Sequence, residues 1–180
     1  MATPIISIVG KSKSGKTTFL EKVVPILAGR GYRVATVKHH SHPGFEMDQP
    51  GKDSWRHFQA GACITVIAAP DKMAIVQRLE DERSLRAIAR QIALTAPVDL
   101  IITEGYSRGP AMKIEVVRAE CSAETISALD ELLALVSDVP PDQLPPGPPV
   151  FPLDAAEDVA DLVECYLVQQ RIARVPPDEA

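Results

Sequence analysis

Residues 10–17 read Gly10-Lys11-Ser12-Lys13-Ser14-Gly15-Lys16-Thr17. This is a Gly-x4-Gly-Lys-Thr loop, and its chemistry is phosphate binding. Glycine permits positive φ and close backbone approach, so successive N–H groups can turn into one concavity. A helix starting at its end adds the positive end of its dipole. In such a loop Lys16 reaches the β- and γ-phosphates, the Thr17 hydroxyl binds magnesium, and Thr18 lies beside the α-phosphate. Lys11 raises a second question. One class of dimerising phosphate loops carries a lysine at this position that reaches into the partner's site; a solvated lysine is the alternative. Ser12 and Lys13 stand where that class has glycines.

Such a loop needs a carboxylate at the C-terminal end of a neighbouring strand to hold magnesium, directly or through water. In Val98-Asp99-Leu100-Ile101-Ile102-Thr103-Glu104-Gly105 two acids compete. Asp99 begins the strand, and Glu104 ends it on the side where open α/β sheets bind ligands. Glu104 is therefore the expected metal-side acid. Asp48 follows the second strand, where switch loops present an acid to metal or attacking water; spacing alone leaves this open. Asp53 suits a helix N-cap. His39, His40 and His42 form a cluster without a completing set of cysteines or acids, so contacts with solvent or phosphate fit them better than a dedicated metal site. Arg83, Arg86 and Arg90 share one helical face, as in a kinase lid or a solvated surface. The usual guanine-reading Asn-Lys-x-Asp is absent. Asp138, after a candidate strand, is either its substitute or a turn aspartate.

Residues 5–9 are a β-branched run that reads as a buried strand. The loop follows, then a helix over 17–28 and a strand over 33–37. Strand, helix, strand implies a parallel sheet with a right-handed crossover. A short helix over 53–60 precedes strands over 63–68 and 73–76, joined by Pro70-Asp71 as a hairpin. Ser84 can cap a helix over 85–92, and 98–103 and 113–117 are further strands. Residues 132–136 suit a strand or the continuation of a helix from Glu124. A Pro-rich connection over 139–152 holds seven prolines within 140–152 and reads as stiff and extended. Asp154 and Glu157 open a last helix. The expected fold is a P-loop α/β domain over 1–173, with a mostly parallel sheet flanked by helices and a loose tail over 174–180.

The 180 residues carry a formal net charge of -5, which argues against a general nucleic-acid surface. Cys63, Cys121 and Cys165 are far apart and form no CxxC pair, as suits reduced thiols. With no signal-peptide pattern and no apolar run of membrane-spanning length, the expectation is a cytoplasmic protein.

Several segments together resemble the molybdopterin-guanine dinucleotide biosynthesis protein B (MobB) family. They are the loop over 10–18, Val37-Lys38-His39-His40, Asp48-Gln49-Pro50-Gly51-Lys52-Asp53-Ser54-Trp55, Ala60-Gly61-Ala62, Asp99 through Tyr106, and Lys113-Ile114-Glu115-Val116-Val117-Arg118. The resemblance implies a GTP-binding homodimer with weak GTPase activity. It implies magnesium as cofactor, and assistance to the guanylyltransferase that joins GMP to molybdopterin. By that match Gly15, Lys16 and Thr17 bind phosphate and magnesium, Glu104 is the magnesium-side acid, and Asp48 gains weight as a nucleotide-site residue. The family's pairing through strands makes the 62–76 hairpin the expected interface. Lys13 and the Pro-rich segment depart from the pattern. Two other readings stay in view: a metal-delivery GTPase of the nickel-chaperone kind, whose Cys-Pro-His-type motif is missing, and a small-molecule kinase.

Overall fold

The structure, a computed structural model, describes residues 3–40, 42 and 44–172. The chain divides into two compact units, Met1–His39 with Leu85–Ala180, and His40–Ser84. The tail expected over 174–180 lies outside the described residues.

The larger unit is built on a six-stranded sheet. Its strands are β1 (Ile5–Val9), β2 (Val34–Lys38), β5 (Leu100–Glu104), β6 (Met112–Val117), β7 (Leu132–Ser137) and β8 (Val150–Phe151). They lie in the order β2-β5-β1-β6-β7-β8, and every pairing is parallel. Parallel sheets are covered on both faces, which is why β1 and β5 are buried at successive positions and rich in Ile, Val and Leu. Helix α1 (Lys16–Gly29) and helix α4 (Ala156–Ile172) accompany this sheet. Ile6, Ile8, Leu100, Ile102, Ile114 and Val116 of the strands pack with Phe19, Val23 and Leu27 of α1 and Val159 and Val163 of α4. Arg30, just past α1, ties the two helices by ion pairs to Glu157, Asp161 and Glu164 of α4.

The alternate positions of the same strands carry buried polar groups: Ser7, Thr103, Lys113 and Glu115. Burial of such groups is costly unless each finds a partner. Thr103 Oγ1 donates to Ser7 Oγ at 2.8 Å. Glu115 accepts the N–H groups of Ile126 at 2.6 Å and Ser127 at 3.0 Å. Lys113 Nζ lies 2.9 Å from Glu131 Oε2, and the Lys113 ammonium holds that carboxyl below its ordinary pKa. The Lys-Ile-Glu segment therefore anchors the connection from β6 to β7. A second apolar cluster, Val117, Leu132, Leu135, Val139 and Leu144, completes the core beyond it.

The smaller unit holds α2 (Asp53–Gln59) and an antiparallel hairpin of β3 (Ile64–Ala68) and β4 (Met73–Gln77). Thr65, Ile67 and Val76 line a small cavity with Phe45, Trp55 and Phe58. On the strands' other positions Ile64, Val66, Met73 and Ile75 are exposed by 45–57%. Helix α3 (Leu85–Thr95) returns the chain to the larger unit.

Four expectations change. Lys52, not Asp53, is the N-cap of α2, and Asp53 is its first residue, where its charge still favours the helix N-terminus. No helix runs from Glu124; a single 3-10 turn over Leu129–Glu131 leads straight into β7. The Pro-rich segment is more than an extended spacer. It makes a 3-10 turn at Pro141–Gln143 and then supplies β8, an edge strand, where missing N–H donors are tolerated. The strand expected from Val98 begins at Leu100, because Asp99 is bound to Arg33 before the ladder starts.

Replacing Glu115 with Ala leaves two backbone N–H groups without their acceptor. Urea denaturation is expected to show a loss of about 2–4 kcal/mol, and a loss under 1 kcal/mol would show that Glu115 does not anchor the connection.

Candidate functional site

The site is built first from backbone. Strand β1 ends at Val9, and Gly10 follows at φ 137°. A Cβ on Gly10 would stand 2.3 Å from the Val116 carbonyl oxygen of β6. Only glycine lets the chain leave β1 so close to its neighbour. Gly15 at φ 95° and Lys13 at φ 65° complete the curl. Helix α1 then begins at Lys16 with neither a side-chain cap nor an acid in its first turn. Its first N–H groups therefore have no side-chain cap, the arrangement that suits an anion. Ser14 Oγ is buried and has no hydrogen-bond partner, a further polar atom within the curl.

Lys16 folds back over the loop. Its Nζ donates to the carbonyls of Gly10 at 3.0 Å and Lys11 at 2.7 Å. Burial pushes its pKa down; the Glu104 charge opposes this and the Lys38 charge adds to it. The hydroxyl of Thr17 donates to Glu104 Oε1 at 2.9 Å. The same oxygen lies 3.2 Å from Lys38 Nζ.

Register explains this meeting. Glu104 of β5 stands opposite Ile8 of β1 and Lys38 of β2, at the strands' C-terminal ends. The turn after β5 is fixed as well. Gly105 N–H donates to the Ile8 carbonyl, His39 N–H donates to the Glu104 carbonyl, and the Tyr106 ring stacks on His39 at 4.5 Å. A hydroxyl and a carboxylate converging beside a phosphate loop are the hard oxygen donors magnesium takes, with phosphate and water completing its shell. Among the described residues no three His, Cys, Asp or Glu side chains converge as a metal cluster. Asp99, the competing acid, is bound through both oxygens to Arg33 at 2.9 Å.

The remaining candidates divide. Lys11 is engaged within its own chain, donating to Ser122 Oγ at 2.6 Å and Glu124 Oε2 at 3.1 Å. Ser12 and Lys13 are exposed at the tip of the curl. Thr18 lines a cavity of about 120 Å³ beside Ser14 and Gly15. Asp138 follows β7, and its Oδ1 accepts the Ala119 N–H at 2.7 Å, so one carboxylate oxygen is committed to the turn after β6. Asp48 belongs to the smaller unit, where its Oδ1 accepts the Gln49 N–H at 2.8 Å. Of the histidines, His39 is stacked, and His40 Nδ1 lies 2.8 Å from the His42 carbonyl.

Sequence reasoning counts Ser14 among the phosphate-loop residues and gives no role to Lys38 or Arg118. Lys38 and Arg118 each sit one residue past an apolar stretch at a strand's C-terminal end, and that position was the available signal. Changing Gly10 to Ala is expected to displace the loop from Val116 and to weaken nucleotide binding at least tenfold, as titrated with a fluorescent nucleotide. Binding equal to the parent's would show that the close approach is dispensable.

The family model for molybdopterin guanine dinucleotide synthesis protein B matches residues 5–138. The molybdopterin-guanine dinucleotide biosynthesis adapter protein of Haemophilus influenzae is 34% identical over 165 residues, covering 91% of this chain and 89% of that one. Its namesake in Escherichia coli is 32% identical, covering 93% and 95%. A crystal structure of molybdopterin-guanine biosynthesis protein B superposes with TM-score 0.69 at 33% identity, over 91% of this chain and 99% of that one. The Bacillus subtilis MobB structure gives TM-score 0.72 at 25% identity, over 90% and 96%. The match spans both the phosphate loop and the Lys-Ile-Glu-Val-Val-Arg strand, and the chain belongs to the molybdopterin guanine dinucleotide synthesis protein B family.

Proposed function

We propose that this protein is a cytoplasmic GTP-binding adapter in molybdenum cofactor biosynthesis. It assists the guanylyltransferase that attaches GMP to molybdopterin, and it hydrolyses GTP slowly. The observation that carries this reading is the meeting of Thr17 and Glu104 at the mouth of the parallel sheet, beside the loop over which Lys16 folds back. Support for the pathway comes from the names of the adapter relatives.

In this reading the backbone of residues 10–17 encloses the β- and γ-phosphates, and Lys16 leaves its two carbonyls to neutralise them. Thr17 and Glu104 hold magnesium, which supplies charge neutralisation for the phosphates when bound. Glu104 remains fixed by its place in the register. Asp48 is assigned to the switch segment, as the acid presented to metal or attacking water. Asp138 keeps Oδ2 for guanine, whose N1 and N2 donors adenine lacks. Slow turnover suits a site whose residues position and neutralise the phosphates.

The protein acts as a homodimer in this proposal, joined through the β3–β4 hairpin. Its exposed Ile64, Val66, Met73 and Ile75 form an apolar face that a second copy would cover.

Two experiments test these assignments. Lys16→Ala is expected to lower GTP affinity at least 100-fold in calorimetry with the circular dichroism spectrum unchanged; parental affinity would remove Lys16 from the site, and a parent preferring ATP would sink the guanine reading. Val66→Lys is expected to convert the dimer to monomer in sedimentation at micromolar concentration, and an unaltered dimer would place the interface elsewhere.

A further inference from the structure

Arg118 is the first residue after β6, the strand whose Val116 carbonyl Gly10 approaches. Its Nη1 lies 3.8 Å from where a Cβ on Gly15 would stand, so no side chain of that residue separates the guanidinium from the loop backbone. The nearest carboxylate oxygens are those of Glu120 at 3.9 Å and Asp138 at 4.0 Å. Both are beyond ordinary hydrogen-bond reach. The side chain is 41% exposed, neither buried in a pair nor free in solvent.

Arg118 also lines the cavity of about 120 Å³ that runs along Ser14, Gly15, Thr18, Lys22 and Leu153. The buried, partnerless Ser14 hydroxyl belongs to the same lining. A planar fork of donors, a second cation and an unsatisfied hydroxyl thus surround one space. That chemistry suits a phosphate oxygen pair, which a guanidinium binds through two parallel hydrogen bonds.

The cavity lies beside Thr18, whereas Glu104 and Lys38 meet at Thr17 and take no part in its lining. The phosphate that fits there is the one nearest the ribose, since Lys16 serves the outer two.

We propose that Arg118 clamps the α-phosphate of the bound guanine nucleotide. This rests on the guanine-nucleotide reading above. Glu120 and Asp138 hold the guanidinium loosely in the meantime, close enough to orient it and too far to saturate it. When the α-phosphate takes Arg118, the Asp138 carboxylate loses its nearest cation and turns its Oδ2 to the base. Phosphate capture and base reading then share one residue pair.

The test is isothermal titration of the full-length protein with GTP and GDP, with magnesium present. Arg118→Gln is expected to weaken both nucleotides by the same factor, about 10- to 100-fold. Arg118→Lys, which keeps the charge and loses the fork, is expected to recover only part of it. A thermal midpoint matching the parent's separates this effect from a structural one. Unchanged affinity, or a loss confined to GTP, would overturn the α-phosphate assignment while the Lys16→Ala result still stands. A parent protein that binds no guanine nucleotide would overturn the underlying reading and this inference together.

Discussion

The close passage of Gly10 over β6 is the contact on which the site depends. With the Val116 carbonyl oxygen 2.3 Å from any Cβ placed there, the chain turns at that height above the sheet or not at all. That turn sets where Ser14 is buried, where α1 begins and which way its open N–H groups face. The sheet supplies the rest by register. Because β1 and β5 run parallel with Ile8 opposite Glu104, the last residue of β5 arrives beside the first turn of α1. No side chain has to reach far, and Thr17 and Glu104 meet at 2.9 Å. Backbone geometry thus fixes the site before side-chain chemistry enters.

The Lys-Ile-Glu-Val-Val-Arg segment shows how one strand serves two tasks. Lys113 and Glu115 are fully buried and spend their charges on Glu131 and on two backbone N–H groups. Leaving such groups unpaired would cost several kcal/mol. They therefore specify the course of the chain from β6 to β7, and with it the position of Ser122 and Glu124 near Lys11. Ile114 and Val116, alternating with them, join the main core. Arg118, one step beyond the buried stretch, is the first side chain of the segment free to serve the loop. A pattern of this kind is specific because each residue in it answers a different demand.

Much of the larger unit was legible from sequence. Runs rich in β-branched residues, glycine punctuation and the helical spacing of apolar residues marked β1, α1, β5, β6 and α4. Glu104 was separable from Asp99 by strand direction alone, and Arg33 accounts for Asp99. Legibility failed where partners are distant in sequence. Nothing local shows that Lys11 meets Ser122, 111 residues away, or that Glu115 caps Ile126 and Ser127. The strand β8 hid among prolines because an edge strand needs only one side of its ladder. Asp138 stands in the sequence as either a base reader or a turn aspartate, and its bond to the Ala119 N–H depends on β6 and β7 lying side by side.

Three ionic groups of the site, Lys16, Lys11 and Glu104, already hold partners within the chain. Lys16 donates to two carbonyls, Lys11 to Ser122 and Glu124, and Glu104 receives Thr17 and Lys38. Any phosphate or cation that enters exchanges these bonds for its own. The net gain is then a difference between similar interactions, smaller than a count of the final contacts suggests. Exchange also keeps the charges ordered, so the groups need little further arrangement when a ligand arrives. A site built this way favours selective and reversible binding, because only a ligand offering anions to the lysines and a cation to Glu104 replaces every partner at once. In the proposed function that pairing of demands is met by a magnesium-bound nucleoside triphosphate and not by a free anion or a free metal ion.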